Sequence, residues 1–293
     1  MEKIAIYGRS FGEQHINDVQ ILFDELQKRK IQISVYAPFY KYLEPLIKIG
    51  SEVQQFSTNK ELQAETECLF SIGGDGTMLD SVTLVEKSNV PIFGINTGRL
   101  GFLSTIKMED IVEALVQIDK GNYFFEERML LELRTNPNLF GENNFGLNEV
   151  VVHKKDTSSM ISIHAYINNE FLSTYWADGL IISTPTGSTA YSLSCGGPII
   201  TPGSENFVIT PVAPHNLTSR PFVISSNDII KLKVEGRGKD FLVSMDSRME
   251  TFDSALEIEI KKCDFSIRLL NLNNQTFLNT LSNKMNWGKD HRN

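Results

Sequence analysis

The chain has 293 residues with 28 Lys and Arg against 36 Asp and Glu, a formal net charge of −8. At 41% hydrophobic and 22% charged it can bury a full core, so disorder is excluded, and its length suits two domains. No long basic run interrupts the acidic balance, which argues against nucleic acid and against an anionic membrane surface as partners.

No stretch approaches the ~20 apolar residues of a membrane span. The apolar run at the start is shorter than the roughly 7–15 residues of a secretion-signal core. Cys68, Cys195 and Cys263 are scattered without a Cys-x-x-Cys, so neither a disulfide framework nor a zinc knuckle is expected. The sequons at Asn216 and Asn274 are read as chance, and the expected compartment is the reducing cytoplasm.

Along the chain, 3–7 reads as a strand. Ile16, Val19, Phe23 and Leu26 then recur at helical spacing on a segment closed by Lys28, Arg29 and Lys30. Ile31, Ile33 and Val35 restart a strand, and 45–48 reads as helical. The apolar run 68–72 suits a strand buried on both faces. A Gly-rich turn, a helix over 78–87 and a strand over 91–95 follow, then a helix over 108–120. Alternation of this kind predicts a Rossmann-like parallel sheet covered by helices, with ligands at the carboxyl ends of its strands.

From 123 to about 270 the grammar changes to short β runs separated by turn residues: 129–134, 149–153, 161–167, 180–183, 222–224, 229–234, 241–244, 256–260 and 265–270. Asn168-Asn169 and the Gly236–Gly238 stretch mark hairpins. Within this all-β domain, 187–195 is expected to open a short helix. The spacing of Phe277, Leu281 and Met285 predicts a C-terminal helix packing back on the first domain. The expected organisation is an α/β domain over 1–122, an all-β domain over 123–274 and a helical tail over 275–293.

Four segments carry the chemistry. Gly73-Gly-Asp-Gly-Thr77 follows a buried strand and precedes a helix. Its glycines let a phosphate approach the backbone, the helix end supplies free N–H groups, and Thr77 adds a hydroxyl. Asp75 is the odd member, because a carboxylate beside phosphates is repelled unless a cation intervenes or it has a proton to take. A plain Asp-Gly turn is the alternative reading. No Walker loop and no Gly-x-Gly-x-x-Gly exists in the chain, so a redox dinucleotide fold lacks its fingerprint.

Asn96-Thr-Gly-Arg-Leu-Gly-Phe102 also follows a strand and makes a turn able to hold a sugar or ring, with Phe102 as an apolar platform, or simply a loop over a buried Phe. Asp178 precedes a buried strand, and the Ser/Thr/Gly-rich run 184–198 offers many small donors, or only a loop. Asn148 and Glu149 stand before Val-Val-Val, able to hold ribose hydroxyls or to cap a turn. His15, His153, His164 and His291 show no metal-ligand spacing, and no metal site is expected.

Together these segments resemble the NAD kinase family. Gly73-Gly-Asp-Gly-Thr77, Asn96-Thr-Gly-Arg-Leu-Gly-Phe102, Leu147-Asn-Glu149, Asp178-Gly179, Thr184-Pro-Thr-Gly-Ser-Thr-Ala-Tyr-Ser192 and Ala213-Pro-His-Asn-Leu-Thr-Ser-Arg-Pro221 occur in that family's order, from about Ile4 to Trp287. The Gly-Gly-Asp-Gly-Thr motif is shared with lipid kinases and, in a near form, phosphofructokinases; the Thr-Pro-Thr-Gly-Ser-Thr-Ala-Tyr segment is more specific.

The resemblance implies ATP-dependent phosphorylation of the 2′-hydroxyl of the adenosine ribose of NAD, giving NADP, with Mg²⁺ bridging the donor's phosphates. It implies Asp75 as proton acceptor with Gly76 beside it, and Gly73, Gly74 and Thr77 as the phosphate loop. Asn148 and Glu149 are implied on ribose or phosphate groups, and Asp178 at the nicotinamide end. Thr189, Ala190, Tyr191, Ser192, Leu193 and Ser194 are implied along the NAD cleft, with Asn96, Phe102 and Ala213 as further site residues. A homodimer or homotetramer is implied as well.

Arg128 and His215 are read as structural or wall residues. Three departures stand out. Arg248, in Asp246-Ser-Arg248, replaces a Gln and offers a fork to a phosphate. Trp176 replaces a basic residue with stacking surface. Asp80 puts an acid where some members carry a base, weakening phosphate attraction. Rival readings are a lipid or sugar kinase of the wider Gly-Gly-Asp-Gly superfamily, and a non-catalytic NAD-binding regulator.

Overall fold

The structure, a computed structural model, describes residues 1–62, 65–155 and 159–286; Trp287 and His291 lie outside the described residues. Contacts divide the chain into two compact units, Met1–Glu127 with Ile267–Asn293, and Arg128–Ser266. The expected boundaries were 122/123 and 274/275. The difference at the C-terminal side has a simple cause: Leu269 pairs with Ile92, so 267–272 is a strand of the first unit's sheet.

The first unit runs β1 (Lys3–Gly8), α1 (Ile16–Lys28), β2 (Gln32–Tyr36), α2 (Ala37–Leu43), β3 (Gln54–Phe56), β4 (Cys68–Ile72), α3 (Asp75–Val85), β5 (Ile92–Asn96), β6 (Ile106–Lys107) and α4 (Ile111–Asp119). Its strands pair in parallel in the order β3-β2-β1-β4-β5. All five residues of β4 and of β5 are buried, as a parallel strand covered on both faces requires. Val19, Leu22, Phe23 and Leu26 form the buried stripe of α1 at helical spacing. The chain moves outward from β1 to β2 and β3, then returns to the other side of β1 as β4. The sheet order therefore reverses between β1 and β4, the place where open α/β sheets bind ligands at their carboxyl ends.

The second unit takes β7 (Tyr123–Arg134, from Arg128 on), β8 (Phe145–Gly146), β9 (Glu149–Lys154), β10 (Ile161–Ile167), β11 (Glu170–Ala177), β12 (Gly179–Ser183), α5 (Tyr191–Ser194), β13 (Asn206–Val212), β14 (Phe222–Ser225), β15 (Ile230–Glu235), β16 (Asp240–Met245), β17 (Arg248–Asp253) and the first part of β18 (Ile258–Leu272). One antiparallel sheet has the order β14-β13-β12-β9-β16-β17. A second pairs β11-β10-β15-β18. Alternate residues of both, such as Val150, Val152, Leu180 and Ile182 against Ile163, Ala165, Leu232 and Val234, meet in one core. The chain closes with α6 (Phe277–Met285) in the first unit, where Phe277 lies 6.2 Å from Phe102 between ring centroids.

The α/β plus antiparallel-β architecture is as the sequence implied. Two helices differ in place. The expected helix at 45–48 forms earlier, as α2, because Pro38 sits in its first turn and presets the helical φ. The helix after the glycine run begins at Asp75 rather than Met78, which puts the motif's acid inside the first turn. The short strands β3, β6 and β8, and β11, β13 and β17, lie outside the strand runs read from the sequence. β11 and β17 are edge strands with exposed Phe171, Trp176 and Met249, so neither shows clean alternation, and in β13 Pro211 cuts short the apolar run 207–209.

Candidate active site

In the first unit the loops after β4 and β5 are built on each other. The Gly73 N–H donates to the Ile95 carbonyl at 2.9 Å. A Cβ on Gly73 would meet Thr77 Oγ1 at 2.2 Å, so only glycine lets the Thr77 hydroxyl, itself buried, fold back over the turn. Gly74 and Gly76 are exposed, with nothing within 4 Å of either Cβ position, and the backbone at the start of α3 is open there.

Asp75 does not cap its own helix. Its Oδ2 accepts the Phe102 N–H at 2.8 Å, and its Oδ1 accepts the N–H groups of Leu103 at 3.1 Å and Ser104 at 3.0 Å. Asn96 completes the same turn: its Nδ2 donates to the Arg99 carbonyl at 2.9 Å, and its Oδ1 accepts the Gly98 N–H at 2.6 Å. Buried and satisfied, Asn96 shapes the loop through its side chain rather than offering that side chain to a ligand. The Phe102 ring is half-buried, with the Lys284 ammonium 4.6 Å from its centroid.

Asp80, counted above as an acid weakening phosphate attraction, is matched. The Arg9 guanidinium pairs with its Oδ2, and the Tyr7 hydroxyl donates to the same oxygen at 3.3 Å. Burial first, and then the Asp80 charge, push the Tyr7 phenol up to about 12. Arg9 follows Gly8, whose register partner is Ile72 at the end of β4. Sequence reasoning passed over Arg9; its signal was its place just beyond a parallel strand at the reversal point.

In the second unit Asp246 repeats the pattern. Its Oδ2 accepts the Leu147 N–H at 2.8 Å, and Oδ1 accepts those of Asn148 at 2.8 Å and Glu149 at 3.2 Å. Thr184 holds the other side of the segment, its hydroxyl donating to the Leu147 carbonyl at 2.5 Å and its N–H to the Asn148 carbonyl at 2.9 Å. The backbone is thus consumed internally, and Asn148 and Glu149 are presented by their side chains.

Glu149 is 9% exposed, and its Oε2 has no partner. Burial, and next the Asp246 charge, push its carboxyl up to about 8, against the N–H of Tyr191. Burial also lowers the His153 imidazole, whose ring stacks on Tyr191 at 5.9 Å.

The hydroxyl-rich run is mostly turned inward. Ser192 is buried, with its Oγ 2.8 Å from Thr210 Oγ1, so its hydroxyl belongs to the core rather than to a cleft wall. The Thr189 hydroxyl donates to the Thr186 carbonyl at 3.1 Å. Thr189, Ala190 and Leu193 are half-buried, while Tyr191 and Ser194 are exposed. Asp178 pairs with Lys154 at 2.5 Å. Ala213 is exposed at φ 46°, a left-handed conformation that costs a non-glycine residue energy.

Arg128 is buried and donates to Thr186 Oγ1 at 3.2 Å, tying the same run to the β7 strand. The Arg248 fork, expected on a phosphate, is given to backbone: its two terminal nitrogens donate to the Asn143 and Phe145 carbonyls, the latter at 2.5 Å. Trp176 is 58% exposed with its indole N–H on Ser162 Oγ, and its carbonyl accepts the exposed His215's N–H at 2.8 Å.

Among the described residues no group of three or more His, Cys, Asp and Glu could hold a metal ion, and no helix is long and apolar enough to cross a membrane.

A parallel sheet with a glycine turn at its reversal point, followed in one chain by a two-sheet antiparallel unit, defines a two-unit nucleotide-binding class. Residues 12–123 match the ATP-NAD kinase N-terminal domain, and residues 147–272 match the ATP-NAD kinase C-terminal domain. The chain belongs to the NAD kinase family. The NAD kinase of Cytophaga hutchinsonii is 47% identical over 99% of both chains, and that of Bacteroides fragilis is 41% identical over the same share. Among solved structures, yeast NADH kinase complexed with NADH superposes with a TM-score of 0.88 at 20% identity, covering 100% of this chain and 89% of that one, a likeness of fold. The NAD kinase from Archaeoglobus fulgidus in complex with ATP gives a TM-score of 0.72 at 25% identity, over 97% and 98% of the two chains.

Proposed function

We propose that this chain transfers the terminal phosphoryl group of ATP to the 2′-hydroxyl of the adenosine ribose of NAD, giving NADP, with Asp75 accepting the hydroxyl proton. The Asp75 carboxylate carries this reading. A carboxylate has about four lone-pair directions, and three are filled by the amides of 102–104. Both of the Oδ1 directions are taken and one of Oδ2, so the remaining direction on Oδ2 is the one to meet a sugar hydroxyl. The three amides fix the carboxylate, which is the positioning that proton acceptance demands.

Phosphoryl transfer asks little covalent chemistry of a protein and much alignment and charge stabilisation. The open backbone at Gly74 and Gly76 and the start of α3 offer N–H groups and the positive end of the helix to phosphate oxygens. Arg9, held by Asp80 and Tyr7, adds a fixed cation to the same unit. Asn148 and Glu149 take ribose or phosphate groups, and Asp178 the nicotinamide end. Thr189, Ala190, Tyr191, Leu193, Ser194, Phe102 and Ala213 supply walls. Magnesium would come to this donor set as an ion carried on the phosphates of ATP. Bound there, it would neutralise charge on the leaving group.

The same reading carries a cytoplasmic setting, consistent with three free cysteines, and a homodimer or homotetramer, which sedimentation would size. The test is incubation with NAD, ATP and Mg²⁺, reading product with an NADP-specific dehydrogenase. NADP formation is expected; folded protein that makes none, or that phosphorylates diacylglycerol or fructose 6-phosphate in preference, overturns the proposal.

A further inference from the structure

Two carboxyl groups share one corner of the second unit, and the structure treats them differently. Burial raises the Asp246 carboxyl, and against it stand three backbone N–H donors and Arg248, two residues on, which favour its charge. Three donors converging on a carboxyl stabilise its ionised form. Glu149 receives the Tyr191 N–H alone, and its Oε2 is buried without a partner. An ionised oxygen left bare in such a place is costly, and more so beside a second negative charge. Of the pair, Asp246 holds the charge and Glu149 holds the proton.

We propose that Glu149 meets the dinucleotide as a neutral carboxylic acid, donating its proton in a hydrogen bond to a ligand oxygen, with Asp246 as the fixed charge that keeps it neutral. The proposal rests on the reading above that places Glu149 at the dinucleotide. It assigns the unpartnered Oε2 to a donor that needs an acceptor. A neutral acid also adds no repulsion toward a ligand that carries a diphosphate and, once phosphorylated, a third phosphate.

The ionisable groups around Glu149 leave a clear window for this. From the turn between β16 and β17 come Asp246 and Arg248, and from α5 come Tyr191 and, just past its end, Cys195. On Glu149's own strand lies His153, near the Lys154–Asp178 pair. Burial pushes the Tyr191 phenol and the Cys195 thiol up and the His153 imidazole down. Each of these three shifts leads away from the span between about pH 7 and pH 9, where Glu149 titrates.

The experiment is calorimetric titration of the full chain with NAD from about pH 7 to about pH 9.5, in buffers of differing ionisation enthalpy. Affinity is expected to hold level up to about pH 8 and then to fall about tenfold per pH unit, with binding taking up close to one proton on that limb. Glu149→Gln keeps a donor that cannot ionise, so it should lose the alkaline limb and bind at least tenfold more tightly than wild type at about pH 9.5. A level wild-type profile without proton uptake, or the same limb persisting in the Gln variant, overturns the proposal while leaving the kinase reading intact. NAD that fails to bind at any pH overturns both. Circular dichroism checks that the variant folds; if it does not, proton uptake by the wild-type chain decides alone.

Discussion

Asp75 and Asp246 do the same work in different units: each carboxylate gathers three consecutive backbone amides, those of Phe102 to Ser104 and those of Leu147 to Glu149. In the proposed reading the first carboxylate is itself the reactive group and the amides aim it, whereas the second is a scaffold for a segment whose side chains meet the ligand.

Asp75→Asn replaces the free lone-pair direction on Oδ2 by a group that cannot accept a proton at neutral pH. The kcat for NADP formation should fall by about 10²–10⁴, the usual share of a general base, with the KM for NAD far less affected. Steady-state kinetics with a coupled dehydrogenase measures both; a loss of only a few-fold would remove Asp75 from proton transfer.

Gly101→Ala tests the aiming separately from the chemistry. A Cβ there would lie 1.8 Å from Asp75 Oδ1, so the carboxylate must leave its amides or the turn must open. Since a misplacement of about 1 Å at a reacting group costs about 10² in rate, kcat should drop on that scale while circular dichroism stays unchanged. Wild-type kcat in this variant would show that the amides do not position Asp75.

Arg9→Ala should raise the KM for ATP about tenfold, the worth of one hydrogen bond to a charged group, and leave the KM for NAD within about twofold. It also removes the Arg9 cation that offsets the Asp80 charge while the Tyr7 hydroxyl remains, so Asp80→Asn combined with Arg9→Ala should recover part of the loss. Unchanged ATP kinetics in Arg9→Ala would confine the pair to a structural role.

The raised Glu149 carboxyl makes stability depend on pH with a definite sign. From an ordinary value of 4.5 it rises to about 8 on folding, so the folded chain binds this proton more tightly than the unfolded one. Its contribution is therefore complete below 4.5, declines as pH rises, and is gone once pH has passed through about 8. The melting temperature of Glu149→Gln should gain on that of wild type steadily between about pH 5 and pH 8 and run parallel above it. Melting curves across that range check this, and a constant offset would mean that Glu149 is ionised throughout.

The glycine turn, the Asn96 loop and the hydroxyl-rich run were legible because each is local chemistry: small residues and turn formers just beyond a strand. The parallel sheet and its helices were legible from periodicity in the same way. Edge strands such as β11 and β17 were not, because an edge needs neither alternation nor an apolar run, and one exposed face hides the signal. The backbone contacts of Arg248 were hidden for a related reason. Residue type suggested a phosphate fork, while the fold spends that fork on the carbonyls of residues 143 and 145.

By itself, then, the sequence determined the two-unit architecture and the turn-rich loops beyond its strands, since these follow from spacing along the chain, while its motifs carried the family resemblance. Only the tertiary structure decided which atoms are available. Asp75 reaches amides 27 to 29 residues away, Asp246 reaches amides 97 to 99 away, and Ser192 is claimed by Thr210. A hydrogen bond is satisfied by whatever the fold brings within about 3 Å. For that reason a donor or acceptor named from sequence becomes a functional group only once its remaining lone pairs and protons have been counted in space.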